Sequence, residues 1–211
     1  MRSRICSMCR MAGGFGLALL LSLFACADGG VGGTGISSVQ GNVMEVEPQQ
    51  ASALGGIVVR EPTTGEEDTT TEAGEFRLVG RFPVEMTLLF FPPSAQEPAT
   101  VGLTVPHGSE LTLENVRVED VAAVPERIRA VLPPGEVLSD ANCEEAGGSF
   151  ELDLDGLIFE VLIDSHTTIL AGRTCADLTG GSLVKVDGVQ DGLTITATTI
   201  DQIKSGTIPG P

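Results

Sequence analysis

Beyond residue 35 the apolar residues of this chain recur at every second position in short runs, and each run stops at or beside Gly, Pro or Asp. A period of two buries one face of an extended strand and leaves the other in water. No long stretch at helical spacing competes with it. In Glu75–Val79, Phe76 and Leu78 share a face and Arg77 points away; in the next run Val84, Met86, Leu88 and Phe90 share one. Leu111 and Leu113 alternate with Thr112 and Glu114, and then the phase slips to Val116 and Val118. Such a slip predicts a bulge near Asn115. Phe150, Leu152 and Leu154 oppose Glu151 and Asp153, and the run ends at Asp155-Gly156, a hairpin corner; Asp191-Gly192 marks another. The fold class expected is all-β.

The first 26 residues follow a different rule. Arg2, Arg4 and Arg10 precede an apolar run from Phe15 to Ala25, with no acid among them. That run is too short for a helix that spans hydrocarbon, which takes about 20 residues. A basic start, a short apolar stretch and a small residue before the cut mark a removed secretory segment, residues 1–25. Leu23-Phe24-Ala25-Cys26 resembles the lipobox of bacterial lipoproteins, although Phe24 is bulkier than that pattern usually carries. The resemblance implies that Cys26 becomes the lipidated N-terminus and anchors the protein to a membrane at the cell envelope, facing the periplasm. An ordinary signal cut at Ala25-Cys26-Ala27 is the competing reading. Ala27 and Asp28 do not meet the usual inner-membrane retention cue, so outer membrane is preferred. Residues 26–35 (CADGGVGGTG) read as the lipid site and a flexible tether.

Removing residues 1–25 takes three arginines and no acid, so the formal net charge moves from −17 to −20. Such a chain repels phosphate backbones, and no nucleic-acid partner is expected. It also repels anionic headgroups, which leaves the lipid as the membrane contact. Trp and Tyr are both absent. Sites that stack sugars or bases, and many protein hot spots, lean on those side chains.

The roughly 185 residues after the signal fit one or two domains. Residues 36–119 hold seven strand-like runs with frequent turns, which predicts a seven-stranded, Ig-like sandwich. Gly41-Asn42-Val43, Gly55-Gly56-Ile57-Val58-Val59, Thr70-Thr71-Glu72-Ala73-Gly74-Glu75-Phe76, Leu78, Gly80, Pro83 and the Met86–Phe90 strand carry a resemblance to the carboxypeptidase regulatory-like domain. That resemblance implies a prealbumin-type sandwich with a non-catalytic, stabilising or adhesive role. Gly74 at the hairpin corner is expected to take φ > 0, with Phe76 plugging the core. Residues 120–205 hold several strands of similar length, which predicts a small OB-like barrel. Val161-Leu162-Ile163-Asp164, Thr167-Thr168-Ile169, Val184-Lys185-Val186-Asp187-Gly188 and Asp191-Gly192 resemble an exported bacterial β-barrel family of unknown function. Residues 206–211 are a C-terminal tail.

Cys6 and Cys9 leave with the signal and Cys26 takes the lipid, so Cys143 and Cys175 remain as one pair in an oxidising compartment. A disulfide between them is expected, closing a loop of roughly 30 residues and adding on the order of 3 kcal/mol. Glu151, Asp153, Asp155 and Gly156 mimic the start of a calcium loop, but Leu162 stands where a bidentate Glu belongs, so strand and turn are expected. His107 and His166 sit in turn contexts. Asp164, Ser165 and His166 are triad residue types, but neighbours on one strand end do not converge as a triad. Glu66-Glu67-Asp68 and Glu144-Glu145 read as solvated loop charges. No catalytic residue, metal site or cofactor is expected. The function expected is a non-catalytic structural or protein-binding role in the cell envelope, with an envelope protein as partner. The alternative is an extracytoplasmic module binding a divalent cation or a glycan.

Overall fold

The computed structural model describes residues 35–47, 50–93, 97–144 and 147–204. The signal segment, Cys26, all of the tether but Gly35, and the tail lie outside the described residues. Within them the chain is all-β, with two 3-10 turns and no α-helix.

Nine strands occupy the first half: β1 (Ser37–Glu47), β2 (Gln50–Ala53), β3 (Val58–Arg60), β4 (Glu67–Thr69), β5 (Glu75–Gly80), β6 (Glu85–Phe91), β7 (Ala99–Thr104), β8 (Glu110–Glu119) and β9 (Ala122–Val124). β1 lies between β5, antiparallel, and β8, parallel, while β2 folds back on its far end. β3 lies between β4 and β6, and β6 pairs with β7. β9 bridges the two sets by pairing with both β8 and β7. Val39, Phe76, Leu78, Leu111 and Leu113 are buried, as are Val59, Met86, Leu88 and Phe90. The Phe76 and Phe90 rings meet edge to face at 5.7 Å, joining β5 to β6. That geometry suits the aromatic quadrupole.

Local rules act where the chain turns. Gly74 sits at φ +75°, and a Cβ there would run into the Val43 carbonyl oxygen. The β1–β8 register moves from Gly41↔Leu113 to Val43↔Val116, so β8 carries one extra residue. Asn115, inside that bulge, has φ +50°. Its amide donates to Asn42 Oδ1 at 3.0 Å, and Asn42 Nδ2 donates to Asn115 Oδ1 at 2.9 Å.

The second half holds β10 (Arg127–Val131), β11 (Gly135–Val137), β12 (Asn142–Glu144), β13 (Gly147–Leu154), β14 (Leu157–Ile163), β15 (Thr168–Ile169), β16 (Leu183–Asp191) and β17 (Thr194–Lys204). Five of these close a ring: β11 pairs with β13, β13 with β14, β14 with β17, β17 with β16, and β16 with β11. The β14–β17 pairing is parallel. Leu152, Phe159, Val161, Val184, Val186, Ile195 and Ile200 fill the interior. At the β13–β14 corner Asp155 and Gly156 both have positive φ, and the Gly156 amide donates to Asp153 Oδ1 at 2.6 Å.

β10 joins the halves, pairing along one edge with β8 and along the other with β16. Gln190 adds a side-chain tie, donating from Nε2 to the Thr104 carbonyl at 2.9 Å. The buried apolar residues form one continuous cluster through both halves.

Candidate functional site

The two-residue corner at 155–156 fixes the β13–β14 register, and Glu151 lands directly opposite Glu160. Both point outward, since Phe150, Leu152, Phe159 and Val161 take the buried positions around them. Like charges placed opposite each other across a ladder repel. Neither carboxylate makes an ion pair among the described residues. Ile158 lies one alternation along the same face of β14 and is 48% exposed; Leu193, in the β16–β17 turn, is 45% exposed.

These side chains line a groove of about 510 Å³. Its far wall is the segment between β11 and β12 together with the start of β12, lined by Ser139, Asp140 and Asn142. That wall is held from behind. The Ala141 amide donates to the Leu178 carbonyl at 2.9 Å, and Asp140 Oδ1 accepts from the Gly180 amide at 3.0 Å. Cys143, at the end of the wall, is bonded to Cys175. The groove therefore offers carboxylates, small hydroxyl and amide groups, and two uncovered aliphatic side chains. It suits a ligand that brings positive charge and apolar surface together.

The other residues singled out in sequence fall as follows. The pairing of Cys143 with Cys175 is as expected. Glu151 and Asp153 lie on a strand and Asp155 in its turn, and Leu162 pairs with Ser149. Among the described residues no three His, Cys, Asp or Glu side chains converge as a cation site. His107 is exposed in the turn before β8. Ser165 Oγ lies 3.4 Å from His166 Nδ1, and Asp164 Oδ1 lies 3.8 Å from the same nitrogen. A proton relay needs the acid on one ring nitrogen and the nucleophile on the other. Asp164 instead organises its own turn: the backbone amide of His166 donates to it at 2.8 Å and holds its carboxyl below the ordinary carboxylate value. Asp177 is likewise lowered, by the Thr174 amide and then its hydroxyl, in a capping box.

Sequence reading missed the groove. The signal was present, because the Asp155-Gly156 corner alone implies that Glu151 faces Glu160. What it could not supply was the wall across from them.

No family model matches the chain, and no curated protein matches it. Among solved structures, a point mutant of the shaft pilin SpaA from Lactobacillus rhamnosus GG aligns at 13% identity over 82% of this chain and 99% of that one, with a TM-score of 0.26. A likeness that slight bears on neither architecture nor function.

Proposed function

We propose that this chain is a lipid-anchored, non-catalytic protein of the cell envelope that uses the β13–β14 groove to hold a basic, partly apolar segment of an envelope protein. The observation that carries it is the Glu151–Glu160 pair, two uncompensated carboxylates in direct register beside the exposed Ile158 and Leu193. A lysine or arginine laid between the carboxylates relieves their repulsion, and its neighbours cover the aliphatic pair. The net charge of −20 after signal removal, read from the sequence, steers such a segment inward.

The finer architecture belongs to the same reading. In the first half, β1 and β3 to β8 correspond to the seven strands expected of a prealbumin-type sandwich, β2 and β9 are additions to it, and this half spaces the groove from the lipid at Cys26. The second half is an OB-like barrel. The five-stranded ring closes through non-consecutive strands, and its groove lies on its second and third strands, flanked by the first and last connections. That is the surface on which OB-type barrels hold their ligands. The acidic lining argues for a protein segment and against an oligonucleotide.

Two measurements test this. A hexapeptide of alternating Lys and Leu, titrated at low salt, is expected to bind the wild-type protein. Binding should weaken as salt rises and be lost in the Glu151→Lys, Glu160→Lys double variant. Equal binding by that variant sinks the reading. The alternative, a divalent cation bridging the same two carboxylates, predicts instead a melting shift that a chelator reverses. Separately, the mass of the membrane-extracted protein is expected to show acyl chains on a chain that begins at Cys26.

A further inference from the structure

We propose that the Cys143–Cys175 bond is a latch on the groove wall and not a staple of the barrel, so that a dithiol reductant releases residues 138–144 while the five-stranded ring stays closed. Its use in controlling a partner rests on the groove reading above; the latch itself rests on where the bond sits. Neither cysteine lies on a ring strand. Cys143 is in β12, a three-residue strand outside the ring with every residue exposed. Cys175 opens a 3-10 turn, Cys175–Asp177, in which no residue is fully buried, although Cys175 itself is half-buried against the edge of the core. The bond spans 32 residues and brings the two Cα atoms within 5.9 Å.

Each end serves the wall. Ser139, Asp140 and Asn142 line the groove, and Cys143 follows them directly. On the other side, Leu178 is buried and anchors the turn to the core. Without the sulfur bridge, the wall keeps a hydrogen bond from the Leu138 amide to the Glu151 carbonyl, the Ala141–Leu178 and Asp140–Gly180 hydrogen bonds, and three residue pairs to β13. Segments held by so few, largely exposed contacts open locally at low free energy. The ring strands keep their full ladders and their buried interior.

Exposure also selects the chemistry. The thiolate of an incoming dithiol attacks Sγ of Cys143, the more exposed residue of the pair, and the Cys175 sulfur leaves and takes a proton. The second thiol of the reductant then attacks its own sulfur in the mixed disulfide and frees Cys143. The reductant ends as a disulfide, and two electrons have passed to the cysteine pair.

Hydrogen exchange read by mass spectrometry on the full chain tests the latch. The states compared are oxidised protein, protein reduced with dithiothreitol, and the Cys143→Ser, Cys175→Ser variant. Exchange across 138–144 is expected to rise about tenfold or more on reduction, equivalent to about 1.4 kcal/mol of local stability. Protection in β13, β14, β16 and β17 is expected to hold. Lys-Leu peptide affinity should fall in parallel. Unchanged exchange at 138–144 overturns the latch, and so does a uniform loss of protection through the barrel. If the oxidised protein fails to bind the peptide, the groove reading falls, and the exchange pattern still decides the latch.

Discussion

Glu61 shows how one side chain can order a loop. It is buried, and its carboxylate accepts from the Thr63 amide at 3.0 Å, the Thr64 amide at 2.6 Å and the Thr64 hydroxyl at 2.7 Å. Burial pushes its pKa up, but these hydrogen bonds outweigh that effect and hold it below its ordinary value of 4.5. A carboxyl lowered in the folded state stabilises the fold above its unfolded value, and that contribution is lost as pH falls through the folded value. Urea midpoints measured from pH 7 down to pH 3 should therefore fall more steeply for the wild type than for Glu61→Ala. At neutral pH the variant should be about 2 kcal/mol less stable. Gly74 offers a second test at this scale. Gly74→Ala adds a methyl against a backbone oxygen at a positive φ, and about 2 kcal/mol of stability should be lost in denaturant melts.

The β13–β14 hairpin carries a conflict between stability and use. Glu151→Thr removes the like-charge pair and places a β-branched residue on a strand, so stability should rise by about 0.5 kcal/mol. The same change should weaken the Lys-Leu peptide. A thermal melt and a titration on one sample check both signs. The bulge in β8 was legible in sequence because an added residue shifts the phase of alternation, and Leu113 to Val116 shows that shift. The partner that fills it was not legible. Asn42 is 73 residues away from Asn115, and their reciprocal bonds exist only because β1 pairs in parallel with β8.

β10 sets the behaviour of the whole molecule. Ala130 is buried where it pairs with Leu111 on one side and Gly188 on the other, at the seam of a single apolar cluster. The two halves are thus expected to unfold together. Calorimetry should give one transition for the wild type, and Ala130→Asp, which places an unpaired charge at the seam, should lower it for both halves at once. Two separated transitions in the wild type would show the halves to be independent.

The short strands β2, β9, β11, β12 and β15 were not legible in the linear chain, whereas the longer strands, the hairpin corners, the bulge and the Cys143–Cys175 pair were. Each is set by neighbours a few residues apart, by alternation, by a glycine's freedom at a turn, or by counting cysteines. Pairing across the chain is different. That Arg127–Val131 pairs with both β8 and β16, that β14 meets β17 in parallel to close the ring, and that residues 139–142 stand across from Glu151 and Glu160 depend on which edges remain open once the local pieces form. The alternating face of a strand states that it will be covered but not by what, so the groove came into being only when the barrel closed.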